Sequence, residues 1–221
     1  MSDAIASKPI WDLPTRLFHW LLVTLVILQY GTAKFGWLDM QWHFWFGYAL
    51  LALLLFRVAW GVCGSETSRF SSFIAAPARV MVYLRHWAGT PMGAVVGHNP
   101  AGGWATVLIL TVLLAQALSG LLTSDDMEWF GPLCNHVSHQ WIAYGTWLHH
   151  RLEPLLLALI GLHVSAIALY WFIKRENLVV SMWHGQRRTI GAAPRMASNL
   201  LALSLFVVIA AAVAALIWWL E

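Results

Sequence analysis

The chain has 221 residues, of which 60% are hydrophobic and only 10% charged, with a formal net charge of +3. Soluble domains run nearer half apolar and a quarter charged, so this composition excludes a single soluble core and makes lipid the solvent for much of the surface. No phosphate loop, hydrolytic triad or nucleic-acid motif is present, and topology alone accounts for the basic residues.

A membrane-spanning helix needs about 20 mostly apolar residues. Five stretches meet that need. The polar start, Met1 to Asp12, leads into the first, Leu17 to Trp37, interrupted mildly by Gln29, Gly31 and Lys34. No small-residue cleavage site follows it, so it reads as a retained helix. The second is Trp42 to Cys63, with Arg57 inside it. A long link, Gly64 to Gly103, carries an amphipathic piece, Phe70 to Trp87, expected to lie on the membrane surface. Its last part, Gly97 to Gly103, is turn-rich.

The third span is Trp104 to Leu122. An acidic link with Asp125, Asp126 and Glu128 follows. The fourth span is Trp147 to Trp171, with Pro154 expected to kink it or mark its first turn. A basic link over 179–199 precedes the fifth and cleanest span, residues 200–220. The expected fold is therefore all-α and integral to the membrane. Residues 1–178 form a four-helix bundle, to which the fifth helix is added.

Of the 13 Lys and Arg, all but Lys34 and Arg151 fall on one side of this topology. The positive-inside bias makes that side the cytoplasm, with the amino terminus inside and Glu221 outside. Cys63 and Cys134 then lie on opposite sides and form no disulfide. The 15 Trp suit the water–lipid boundary and also pack well on flat aromatic cofactors.

Ionisable groups at bilayer depth are costly and usually functional. Of the 10 histidines, four sit in or at the ends of spans: His19, His43, His149 and His163. Fourteen residues separate His149 from His163. At about 100° and 1.5 Å per residue, they share a stripe to within roughly 40°, at depths about 21 Å apart. His150 lies roughly 140° from His163 and is expected to face elsewhere.

By depth, His19 pairs with His163 inside and His43 with His149 outside. A lone helical histidine is most often a hydrogen-bonded structural residue, but four that pair by depth between different helices suit two metals. Two imidazoles per haem iron leave no open position, which favours electron transfer. Arg57, fourteen after His43, shares its stripe at inner depth and needs an anionic partner, such as a haem propionate. Gly47 leaves room for a flat ring near the backbone.

Trp11-Asp12-Leu13-Pro14-Thr15-Arg16-Leu17-Phe18-His19-Trp20 resembles the prokaryotic diheme cytochrome b561 family, which includes the b-type cytochrome subunit of nickel–iron hydrogenases. So do His43 to Tyr48, Leu55 to Gly61, Gly97 to Pro100 and Ile160 to His163. The resemblance covers about Ile10 to Leu178. It implies a four-helix bundle with two haem b groups, held by His19, His43, His149 and His163. It implies electron exchange with quinone or quinol on one side and an outer-face redox partner on the other, a c-type cytochrome or a hydrogenase-like protein. One branch is a superoxide:quinone oxidoreductase. A multi-pass place in the bacterial inner membrane follows. In this reading Arg57 and Arg16 take the inner propionates and Arg151 the outer ones. The chain departs from compact members in its fifth helix, and in Arg151 where some relatives have an acidic residue.

Two other classes compete: a histidine relay that transports protons or metal ions, and a structural membrane anchor. Cys134, His136 and His139 have a metal-like spacing but lack a fourth ligand, and read as a polar loop. Asp125, Asp126 and Glu128 read as a solvated loop, a proton path or a dock for a basic partner.

Overall fold

The computed structural model describes residues 6–89, 95–189 and 192–221. Parts of the polar start and of the first and third links lie outside the described residues. The elements in chain order are β1 (Ala6–Pro9), α1 (Leu13–Phe35), α2 (Met40–Cys63), α3 (Phe70–Phe73), α4 (Pro77–His86), α5 (Pro100–Gly120), α6 (His139–Lys174), α7 (Leu178–His184), β2 (Gln186–Thr189) and α8 (Asn199–Leu220). Five of them, α1, α2, α5, α6 and α8, are long and apolar enough to cross a membrane. The all-α membrane architecture expected from the apolar runs is therefore present.

The surface piece expected over Phe70 to Trp87 divides into α3 and α4, because Pro77 takes the first turn of a new helix. The turn-rich lead into the third span is mostly helix. Asn99 accepts the Gly102 N–H on its side-chain oxygen at 2.7 Å, and Pro100 follows with its φ preset. That is an N-cap followed by proline at the first helical position, and it overrides the two glycines behind it. Helix α6 is one helix of 36 residues with Pro154 inside it, so Pro154 does not mark a first turn. At 1.5 Å per residue α6 is about 54 Å long, well beyond a hydrocarbon core of about 30 Å.

The chain forms two compact units. The first comprises the described residues of Met1–Leu17, Val58–Leu108 and Leu159–Ala202. Here β1 and β2 pair antiparallel, Ala6 opposite Thr189 and Pro9 opposite Gln186. Neither four-residue strand carries an alternating pattern long enough to predict.

Buried polar contacts fasten this unit. The N–H groups of Ile10 and Trp11 both reach the Gly185 carbonyl, at 2.8 and 3.0 Å. Thr67 donates to the Ile10 carbonyl at 2.6 Å. Glu176 and Arg187 pair at 2.5 Å, both nearly buried, and Arg187 also donates to the Gly97 carbonyl. Tyr83, Tyr170 and Asn99 share a hydrogen-bonded cluster. Burial raises the Tyr83 phenol well above its ordinary pKa, so it stays protonated.

The second unit comprises Phe18–Arg57, Ile109–Ala158 and Leu203–Glu221. Leu51, Ala52, Leu121, Val213 and Ile217 form its apolar core. The fifth membrane helix is thus packed through Val213 and Ile217 against α2 residues. Phe206 of α8 meets Phe56 edge to face. At its end, Glu221 accepts a hydrogen bond from Tyr48.

Candidate haem site

His43 enters the second unit near the start of α2, and His149 from α6. Their ring centroids lie 6.3 Å apart with planes at 81°. Two imidazoles sharing one metal, each through a nitrogen about 2 Å away, place their centroids roughly 6 Å apart. The spacing therefore suits a single ion between them.

The far nitrogens are fixed in matching ways. Nδ1 of His43 lies 3.2 Å from the Gln29 carbonyl and 3.2 Å from Thr32 Oγ1. Nδ1 of His149 lies 2.9 Å from the Gln116 carbonyl and 3.3 Å from Ser119 Oγ. A carbonyl can only accept, so each Nδ1 holds the proton and donates it. Each neutral ring then presents an unprotonated Nε2, the form a metal takes.

The two rings border a cavity of about 330 Å³. Its walls are mostly apolar, from Val26, Phe44, Leu50, Leu113, Leu156 and Trp129 among others. Gly47 and Gly120 also line it. A Cβ on Gly120 would stand 3.0 Å from Cε1 of His149, so a larger residue there would press on the ring by a few tenths of an ångström. A Cβ on Gly47 would stand 3.1 Å from Gln29 Nε2. The side-chain oxygens of Gln29 and Gln116 are buried with no hydrogen-bond partner among the described residues. Paired imidazoles, glycine-lined walls and an apolar, aromatic cavity fit a flat iron porphyrin.

The sequence profile described as Prokaryotic cytochrome b561 matches residues 10–185. The chain belongs to that family. It is a membrane b-type cytochrome of electron transfer, and its family binds b-type haem. No curated protein and no solved structure matches it.

In this cytochrome His19, half-buried in the second unit, stands edge to face with Trp20 at 5.0 Å. His163 is exposed on α6 in the first unit. Arg57 is 2% exposed, with its guanidinium 5.9 Å from the centre of the Phe18 ring. Arg16 donates from Nη1 to the Trp183 carbonyl at 2.5 Å, and its Nε is buried without a partner among the described residues. Arg151 is exposed, 6.0 Å over Trp147, and is not part of the cavity wall. Lys34 lines the cavity instead, paired with Glu153 at 2.9 Å.

His150 does not turn away from the site. It borders the same cavity, with its ring 6.2 Å from that of His149. Adjacent helical residues diverge by about 100°, and a cavity this wide receives both. Among the described residues no group of three His, Cys, Asp or Glu converges as a metal site. In the Cys134–His139 segment, His136 lies 3.3 Å from the Leu220 carbonyl and stacks on Trp219.

The acidic loop has a defined use at one residue. Asp125 Oδ1 accepts the backbone N–H groups of Trp129, Met127 and Glu128 at 2.8 to 3.0 Å, and these contacts hold its carboxyl below the usual range. This keeps the loop folded and holds Trp129, a wall residue, against Phe44. A carboxyl depressed on folding stabilises the loop above its unfolded pKa, near 4, and that support is lost as pH falls through the folded value. Hydrogen exchange at the Trp129 amide should therefore remain protected above about pH 4 and lose protection below it. Asp125→Asn should remove that pH dependence.

Proposed function

We propose that this cytochrome carries electrons across the bacterial inner membrane, between the quinone pool and a redox protein at the outer face, through two haem b groups. His43 and His149 hold the outer haem, and His19 and His163 the inner one. The observation that carries the reading is the His43–His149 pair, whose rings stand 6.3 Å apart with both Nδ1 atoms donating to carbonyls. When bound, haem would supply a one-electron centre, and two histidine ligands for each iron would suit transfer rather than oxygen chemistry.

The chain's own residues do the rest. The Gln29 and Gln116 carbonyls fix the tautomer and orientation of both imidazoles and raise their basicity. The apolar wall excludes water and tunes the potential by burial. Arg57 and Arg16 serve the inner carboxylates of haem, and the amino terminus is cytoplasmic. The outer partner is a c-type cytochrome or a hydrogenase-like protein.

A pyridine haemochrome assay on the purified chain should return two haem b per polypeptide. A colourless protein that stays colourless when supplied with haem would sink the reading and favour a histidine relay.

A further inference from the structure

The cavity around His43 and His149 is apolar but not free of charge. Among its described lining residues, Lys34 is the single Lys or Arg, and Asp125 and Glu153 are the carboxylates. Asp125 is committed to three backbone N–H groups of its own loop. Glu153 binds Lys34 at 2.9 Å. Haem b brings two carboxylates of its own, and at a partly dry site these need a cation. Arg151, the nearest basic residue in sequence to His149, lies over Trp147 and outside the wall.

The fold places Lys34 on purpose. It sits in the last turn of α1, where the helix dipole favours a cation. The helix stops one residue later at Phe35, and Gly36 turns the chain at φ +59°, a conformation glycine adopts without strain. Trp37 folds back so that its ring occupies the space where a Cβ on Gly31 would stand, and its N–H reaches the Gly31 carbonyl at 3.3 Å. The end of α1 is thereby locked, with Lys34 held at the cavity. Glu153 lies one turn beyond His149 on α6, so it shares that histidine's face. An ammonium has three donors, and Glu153 takes one.

We propose that Lys34 anchors the carboxylates of the haem at the His43–His149 site and, with Glu153 as its counter-charge, sets that haem's potential. This rests on the haem reading above. A positive charge near the iron favours the reduced form and raises the potential, and a negative charge lowers it.

The two members of the pair therefore act with opposite signs. In full-length, haem-loaded protein in detergent, Lys34→Gln should lower the midpoint potential of the His43–His149 haem and Glu153→Gln should raise it. The other haem's midpoint should stay in place. Lys34→Arg keeps the charge and should stay close to wild type. Loss of the haem in Lys34→Gln with retention in Lys34→Arg also supports anchoring. The proposal is overturned if Lys34→Gln and Glu153→Gln shift the midpoint in the same direction or not at all, or if Lys34→Arg behaves like Lys34→Gln. Haem content is read on every sample, so absence of haem from the wild type is a failure of the haem reading itself.

Discussion

His149→Leu should lower the haem content from two per chain to one, with the remaining haem keeping its reduced spectrum. Leucine is close to histidine in size, so the cavity of about 330 Å³ is not filled or collapsed by the change. What goes is one imidazole and one of the donors to the Gln116 carbonyl, which still accepts from Ser119 Oγ at 3.0 Å. Losing one such hydrogen bond costs about 0.5–1.5 kcal/mol, which a folded chain tolerates. On the proposed assignment the loss of a haem ligand is the larger effect, because His43 alone would then have to hold a porphyrin that two imidazoles are placed to share.

His43→Leu should give the same half-loading, since the Gln29 carbonyl and Thr32 mirror the Gln116 carbonyl and Ser119. His150→Leu is the discriminating control. Its ring borders the cavity, yet it is exposed and stands beside His149 rather than opposite His43. It should retain two haems. Full loading in His149→Leu together with loss in His150→Leu would reassign the ligand.

The parts of this site that were legible in the sequence are those carried by residue type and depth. Apolar runs located all five long helices, because lipid demands about 20 such residues per crossing and little else supplies them. His43 and His149 were paired by counting depth along alternating spans, and the structure brings their rings together.

The unread parts are backbone groups and close approaches. The carbonyls of Gln29 and Gln116 fix the two rings, but every residue has a carbonyl, so nothing in the sequence singles these out. Gly120 looked like any glycine at the end of a span. Only the position of the His149 ring gives it a role. In the sequence Lys34 reads as a topology marker and Arg151 as the cation for the outer propionates. Side-chain direction is not written there: in the structure Arg151 lies over Trp147, while Glu153, one turn from His149, meets Lys34. Pairing of β1 with β2 joins segments far apart in the chain, and four residues carry too little pattern to announce it.

Asp12→Ala should destabilise the first unit by about 2–4 kcal/mol. Asp12 is 6% exposed and both carboxylate oxygens are used. Oδ1 accepts the Thr15 N–H at 2.7 Å, capping the start of α1. Oδ2 accepts from Nε1 of Trp60 at 3.1 Å, and Trp60 is 0% exposed. An N-cap is worth about 1 kcal/mol and a buried hydrogen bond to a charged group about 1.5–3 kcal/mol. Alanine removes both and takes the Trp60 indole's charged partner away.

Thr15 would also lose the register in which it meets Ser68 at 2.6 Å. Asp12→Asn keeps an oxygen for the Thr15 N–H but turns an NH₂ toward the indole donor, so its cost should fall between alanine and wild type. Thermal unfolding in detergent measures the order, and an alanine variant with an unchanged midpoint would deny Asp12 this role. The residue stands in the Trp11–Trp20 segment that carried the family resemblance, and its contacts give that segment a structural role: Asp12 caps the start of α1 and, with Thr15, ties it to Trp60 and Ser68 within the first unit.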